Sequence, residues 1–232
     1  MRIVFEDEEL EGFVMEGGSL IAVPIQIDVP EEGKAILTVY SGFVKLAEKF
    51  AKKFENDPLS PEALRFIEDH FTKPMQKAGY TYEADFDHLV YNFEAREDLL
   101  TDPGYAGEVV FIDTDEKLAT LYLNTTRDFR INDADPVDAA FAVVEDGAAL
   151  SLASVNDFSE DGSVEINVET APNARGRGYG AAVTYALCRY LISLGERVSY
   201  KCRSTNAPSR RVAEKCGLTY KGKTYSFVCY KD

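Results

Sequence analysis

The sequence has no tryptophan, only two histidines and only four cysteines among its 232 residues. Each scarcity closes off a class of chemistry. His70 and His88 stand alone, so a histidine-based metal site or a Ser-His-Asp triad has little to be built from, and no metal is expected. Cys188, Cys202, Cys216 and Cys229 all fall in the last quarter, spaced too widely and evenly for paired metal ligands. They read as reduced, buried thiols of a cytosolic chain. Long hydrophobic runs are missing too: none is long enough to span a bilayer, so no membrane partner is expected. The opening stretch, Met1 to Asp7, turns acidic at once and does not read as a signal peptide. A cytoplasmic location is the expectation that follows.

Basic residues are outnumbered, 25 against 40 acidic ones, for a formal net charge of −15 at pH 7. That balance argues against nucleic acid as a partner. The distribution says more than the total. From Ala171 onward twelve basic residues meet three acidic ones, a net of +9, which leaves −24 on the first 170 residues. The C-terminal segment is suited to meeting an anion. The acidic remainder either attracts cations or simply keeps the chain soluble.

Periodicity orders the chain. Gly12–Met15 and Leu20–Ile25 read as a strand pair around Glu16-Gly17-Gly18-Ser19. Ile36, Tyr40, Phe43, Ala47, Phe50 and Phe54 recur at three- and four-residue steps and predict an amphipathic helix. Ser60-Pro61 starts a second helix, which Pro74 ends or kinks. His88–Phe93 alternates like a strand, and Thr101-Asp102-Pro103-Gly104 is a turn-rich candidate boundary. It divides the chain into an α+β region over 1–104 and a second region over 105–232. In the latter, Glu108–Ile112 predicts a strand and Asp115–Thr125 a short helix. Phe141–Val144 and Leu150–Val155 predict strands joined by a tight turn at Asp146-Gly147, and Val164–Thr170 a third strand. A glycine-rich loop leads into a helix over Tyr179–Leu194, then a strand over Val198–Cys202. A helix from Pro208 to Gly217 and a strand over Tyr225–Tyr230 close the chain. Antiparallel strands followed by a strand–helix–strand crossover give a mixed α/β sheet.

The chemistry concentrates in Arg175-Gly176-Arg177-Gly178-Tyr179-Gly180, between a strand and a helix. Glycines let the backbone take positive φ and let a ligand approach closely. The helix start offers free N–H groups and the positive end of a dipole, a cradle for a diphosphate, to which the two arginines add full charges. The same residues fit the G-x-G-x-x-G/A dinucleotide fingerprint, with Arg203 placed to meet a 2′-phosphate, so an NADPH-dependent oxidoreductase is the rival reading.

These residues resemble a known family. Val164 to Pro172 followed by Arg175-x-x-Gly178-x-Gly180 is similar to the Q/R-x-x-G-x-G/A cofactor motif of the GCN5-related N-acetyltransferases. Asn206-Ala207-Pro208-Ser209 with Val212-Ala213-Glu214-Lys215-Cys216-Gly217-Leu218 resembles that family's second motif, and the combination looks most like its zwittermicin-resistance-type branch. The match covers residues 138–230. The resemblance implies an α/β (α+β) fold, with a mixed, largely antiparallel sheet and helices on both faces, preceded by a smaller α+β N-terminal part. It implies acetyl-CoA, or a related acyl-CoA, as co-substrate, wedged between two splayed parallel strands, Val164–Thr170 and Val198–Cys202. Arg175 and the backbone of Gly176, Arg177, Gly178, Tyr179 and Gly180 would hold the diphosphate, and the backbone at Val168 and Thr170 the thioester and pantetheine. Asn206 and Ser209 would face the pantetheine or phosphate end, although Asn206 equally reads as a helix cap. Glu169, nearer the loop, and Glu165 are the carboxylates placed to take a proton from an amine; both also read as the solvent face of an alternating strand. Many family members carry a tyrosine acid in the last helix, where this chain has Ala213; Tyr179, Tyr200, Tyr220 and Tyr225 are the replacements on offer. The expected reaction moves a short acyl group to a primary amine of a small molecule or peptide. A non-catalytic acyl-CoA sensor is the alternative that Ala213 favours. A homodimer is left open.

Overall fold

Ile25, Ile27, Leu37 and Val39 alternate with polar neighbours and lose essentially all their solvent exposure, the pattern of strands with one covered face. They belong to a computed structural model that describes residues 1–6, 13–14, 20–82, 88–123, 131–132, 134–159 and 161–231. The chain forms two compact units: Met1–Tyr91 with Arg203–Thr205 and Lys221–Asp232, and Asn92–Cys202 with Asn206–Tyr220.

In chain order the first unit contains β1 (Arg2–Glu6), β2 (Phe13–Val14), β3 (Leu20–Ala22), β4 (Ile25–Pro30), β5 (Ile36–Tyr40), α1 (Val44–Lys53), α2 (Pro61–Lys77) and β6 (Thr81–Tyr82). The strand β7 (Leu89–Ala95) carries the chain into the second unit. The predicted helix starting at Ile36 is corrected. Ile36-Leu37-Thr38-Val39-Tyr40 is β5, parallel to β1 and antiparallel to β4, and α1 begins only after a 3₁₀ turn over Ser41–Phe43. Four-residue spacing of Ile36 and Tyr40 suits either element, and a β-branched, aromatic run with partners on both sides settles as strand. The second helix starts as expected, with Ser60 Oγ accepting from Ala63 N at 3.3 Å, and runs three residues past Pro74 to Lys77. Phe50, Ile67, Phe71 and Met75 from these helices close the core over β4 and β5. Of the expected first strand pair, Phe13–Val14 and Leu20–Ala22 do pair antiparallel; the turn at 16–19 lies outside the described residues.

The second unit adds β8 (Val110–Ile112), α3 (Asp115–Ala119), β9 (Tyr122–Leu123), β10 (Ala140–Glu145), β11 (Ala148–Phe158), β12 (Val164–Thr170), α4 (Tyr179–Ser193), β13 (Val198–Arg203) and α5 (Ala207–Lys215). Its helix α3 is shorter than predicted: Thr114 caps it, it stops at Ala119, and Tyr122–Leu123 pairs in parallel with Ala148–Ala149 instead. Asp146 and Gly147 both take positive φ (51° and 75°), the turn a two-residue hairpin between right-twisted strands demands. Strands β8, β10, β11 and β12 are successively antiparallel, and β13 joins β12 in parallel after the α4 crossover. Helix α4 packs on one face of β10, β11 and β12. Ile112, Leu118 of α3, Ile131, Ala140, Ala142, Ala149 and Leu152 fill the other. The final expected strand is two: β14 (Thr219–Ser226) pairs with β4, while β15 (Cys229–Lys231) pairs with β3 and β6 in a separate sheet. Fully buried Phe227 marks the break, its N–H donating to Ile25 O at 3.0 Å. All four cysteines are free and buried.

Candidate active site

The loop between β12 and α4 owes its shape to glycine. Gly176 and Gly178 have φ of +79° and +86°, where L side chains are strained. A Cβ on Gly176 would meet nothing within 4 Å, and one on Gly178 would meet only the Lys215 ammonium at 3.6 Å. Both glycines therefore hold a backbone conformation and leave the loop surface open. Gly180 differs: a Cβ there would come within 3.1 Å of Thr170 Oγ1 and 3.5 Å of Val212 Cγ2, so it lets α4 sit close on β12. The first intrahelical bond runs from Ala182 N to Gly178 O at 3.1 Å. The N–H groups of Tyr179, Gly180 and Ala181 thus have no partner within the helix, and no side chain caps it. Exposed Arg175 and Arg177 flank this N-terminus, with Arg175 Nε 3.4 Å from Thr170 O. The Tyr179 phenol, which donates to Glu145 Oε1 at 2.7 Å, and Glu145 itself hold the Arg177 guanidinium even more firmly protonated than usual.

Strands β12 and β13 part beside this loop. Their parallel pairing runs from Val164–Val198 to Ile166–Tyr200 and stops, although β12 continues to Thr170 and β13 to Arg203. Ala171 N–H turns toward β11, donating to Leu150 O at 2.9 Å. The two-residue alternation of backbone groups then aims the N–H and C=O of Val168 and Thr170 into the gap. The Thr170 hydroxyl itself is paired with Ser151 Oγ at 2.8 Å.

Both acidic side chains of β12 lie on the strand face away from α4, since Val168 and Thr170 line the α4 side. Their surroundings differ. Glu165 is ion-paired with Lys201 Nζ at 2.6 Å and accepts from Asn156 Nδ2 at 3.3 Å. Glu169 stands in the part of β12 beyond the last pair with β13. In α5, Asn206 Oδ1 accepts from Ser209 N at 3.1 Å, a helix cap, and Ser209 Oγ pairs with the Tyr200 hydroxyl at 2.6 Å. Burial pushes the Tyr200 phenol up to about 12, the Ser209 hydrogen bond partly offsetting it. Of the other tyrosines, Tyr179 is committed to Glu145, the Tyr220 ring packs edge-on against Phe93, and Tyr225 lies in the core of the first unit. Lys215 beside Gly178 and Glu145 bonded to Tyr179 are further neighbours of the loop that spacing did not single out. Lys215 sits inside the second motif, yet only the fold shows that α5 delivers its ammonium to the loop. Among the described residues, no group of three or more His, Cys, Asp or Glu side chains is placed to hold a metal, and no helix is long and apolar enough to cross a membrane.

A sequence profile described as "Acetyltransferase (GNAT) domain" matches residues 80–219. The chain belongs to the GNAT acetyltransferases. Acyl transfer with an acyl-CoA co-substrate is the family's reaction, and the GNAT-like α/β sheet above is its frame. The oxidoreductase reading finds no support: the four antiparallel strands β8, β10, β11 and β12 precede the loop and a single parallel strand follows α4. No curated protein matches the sequence. Among solved structures, a GNAT-family protein from Novosphingobium aromaticivorans is 20% identical, with a TM-score of 0.46, 62% of this chain covered and 65% of that one, just under two thirds of its length. A GCN5-related N-acetyltransferase-like protein from Streptococcus suis is 15% identical over 94% of this chain and 90% of its own, with a TM-score of 0.48. A GCN5-related N-acetyltransferase from Kribbella flavida is 16% identical over 82% and 73%, also with a TM-score of 0.48.

Proposed function

We propose that this GNAT protein is a cytoplasmic N-acyltransferase that moves an acetyl or other short acyl group from acyl-CoA to a primary amine of a small molecule or peptide. One observation carries the reading: α4 starts uncapped, on two positive-φ glycines that alternate with two arginines, where β12 and β13 diverge. The diphosphate fits the N–H groups at that helix start, and Arg175, Arg177 and Lys215 supply cations to it. The pantetheine arm fits the gap beside Val168 and Thr170, with Asn206 and Ser209 on its far side. The division of labour we assign is 1–104 for acceptor recognition or assembly and 105–232 for catalysis. The run from Glu169 to Pro172 with Asn206 and Ser209 is what favours the zwittermicin-resistance-type branch.

In this mechanism Glu169 takes the extra proton of the ammonium, directly or through water. Glu169 is preferred to Glu165 because it lies nearer the loop, in the stretch of β12 beyond the last pair with β13. The free amine attacks the thioester carbon, and the main-chain N–H groups facing the gap stabilise the developing oxyanion. The C–N bond forms, the C–S bond breaks, and coenzyme A leaves as thiolate. The nitrogen's second proton balances that thiolate; with Ala213 unable to relay it, we assign the relay to the Tyr200–Ser209 hydroxyl pair. The test is coenzyme A release from acetyl-CoA against a panel of polyamines, amino sugars and peptides. Glu169→Gln should lower turnover about 100-fold with acyl-CoA affinity unchanged. Tight acyl-CoA binding without release on any amine would make the protein a sensor instead.

A further inference from the structure

Two buried polar groups face each other on the strand face that carries Glu165 and Glu169. Ser154 of β11 stands directly opposite Asn167 of β12. Ser154 is 7% exposed, its hydroxyl and the Asn167 side-chain nitrogen are shut off from solvent, and neither finds a hydrogen-bond partner among the described residues. Buried polar groups are seldom left unpaired, because the desolvation they suffer is returned only by a bond. Two adjacent orphans on one face are more unusual than one. Ala140, itself buried, is the next residue across the sheet, opposite Ser154 on β10, and brings no polar group to them. On its other side, Asn167 follows the last residue of β12 paired to β13.

We infer that Ser154 and Asn167 form the polar end of the acceptor subsite and read an oxygen of the substrate. This rests on the transferase reading above and names its substrate class. The Asn167 amide nitrogen can only donate, and the Ser154 hydroxyl can donate as well, so the group they share must accept: a hydroxyl or carbonyl oxygen. Glu169 lies on the same face, two residues on, a separation of about 7 Å along a strand. The substrate is therefore an amine whose nitrogen approaches Glu169 while an oxygen several bonds away reaches the Ser154–Asn167 pair. Amino alcohols and amine-bearing amides satisfy this; alkylamines and plain polyamines do not.

The probe is a matched pair, aminopentanol and hexylamine, in which a methyl group replaces the hydroxyl. The native protein should favour the amino alcohol in kcat/KM by about tenfold or more, because a hydrogen-bonding recess discriminates against an analogue that leaves it unpaired. Ser154→Ala and Asn167→Leu should each bring that ratio close to unity, chiefly by slowing the amino alcohol. The ratio is internal to each variant, so incomplete folding does not disturb it. A native ratio near unity, or one that survives both substitutions, overturns the assignment while leaving the transferase standing. Absence of turnover with every amine removes the transferase and the subsite together.

Discussion

Helices α4 and α5 of the second unit begin in opposite ways. Asn206 caps α5 through Ser209 N at 3.1 Å, and Pro208 occupies its first turn. Helix α4 has no side-chain cap and a left-handed glycine where the cap would stand. A capped N-terminus spends its donors on its own chain; an uncapped one keeps them for something else. The glycines divide in the same way. Gly217, just after α5, has φ +73° and no room, since a Cβ would fall 2.2 Å from Leu99 O. Gly176, just before α4, has nearly the same φ and open space. One glycine is fixed by packing, the other by what the loop exposes.

The largest effect should come from making α4 resemble α5. Gly178→Asp supplies a capping carboxylate at a position whose left-handed backbone Asp tolerates comparatively well, and it places negative charge where a diphosphate would lie. Combined with Arg175→Ala, it should weaken acyl-CoA binding more than about 100-fold, or roughly 2.7 kcal/mol, in calorimetric titration. Unchanged affinity would show that the loop is only a turn. The reverse operation on α5 should do far less to the ligand: Asn206→Ala should cost about 1 kcal/mol in urea unfolding and move acyl-CoA affinity by no more than about threefold. A large affinity loss there would mean that Asn206 touches the ligand as well as its own helix.

Much of this contrast was legible before any coordinates. The loop, the strand before it and the helix after it follow from glycine spacing and a sharp change from period two to period 3.6. Val164–Thr170 is found at the expected bounds, and α4 ends one residue short of them. What sequence could not supply was contact at a distance. Glu165 and Glu169 look alike on an alternating strand, and only the point where β13 stops pairing with β12, after Ile166, sets them apart. The Ser154–Asn167 pair depends on the register of β11 with β12, which includes an irregularity between Val155 and Asp157. Where spacing was ambiguous it misled: Ile36 and Tyr40 fit a helix by period, but β1 and β4 supplied strand partners that propensity does not record.

The smallest effect tests whether the closed side of the comparison is held by the Tyr200–Ser209 pair. Tyr200 keeps its proton up to about 12 in the folded protein, whereas an unfolded tyrosine releases it near 10. Below pH 10 both states are protonated and this group adds no pH dependence. Between about pH 10 and 12 the unfolded chain binds fewer protons, so stability must fall as pH rises. The neighbouring thiols Cys188 and Cys216 are also raised by burial and add their own alkaline decline from about pH 8.5. Tyr200→Phe leaves those thiols in place and removes one titration. The variant should be less stable by up to about 1 kcal/mol at pH 7, where it lacks the bond to Ser209, and the deficit should shrink toward pH 11. Urea unfolding at pH 7, 10 and 11 measures both quantities. A deficit that stays constant across that range would mean the Tyr200 hydroxyl reaches solvent, leaving it free to exchange protons without the relay through Ser209.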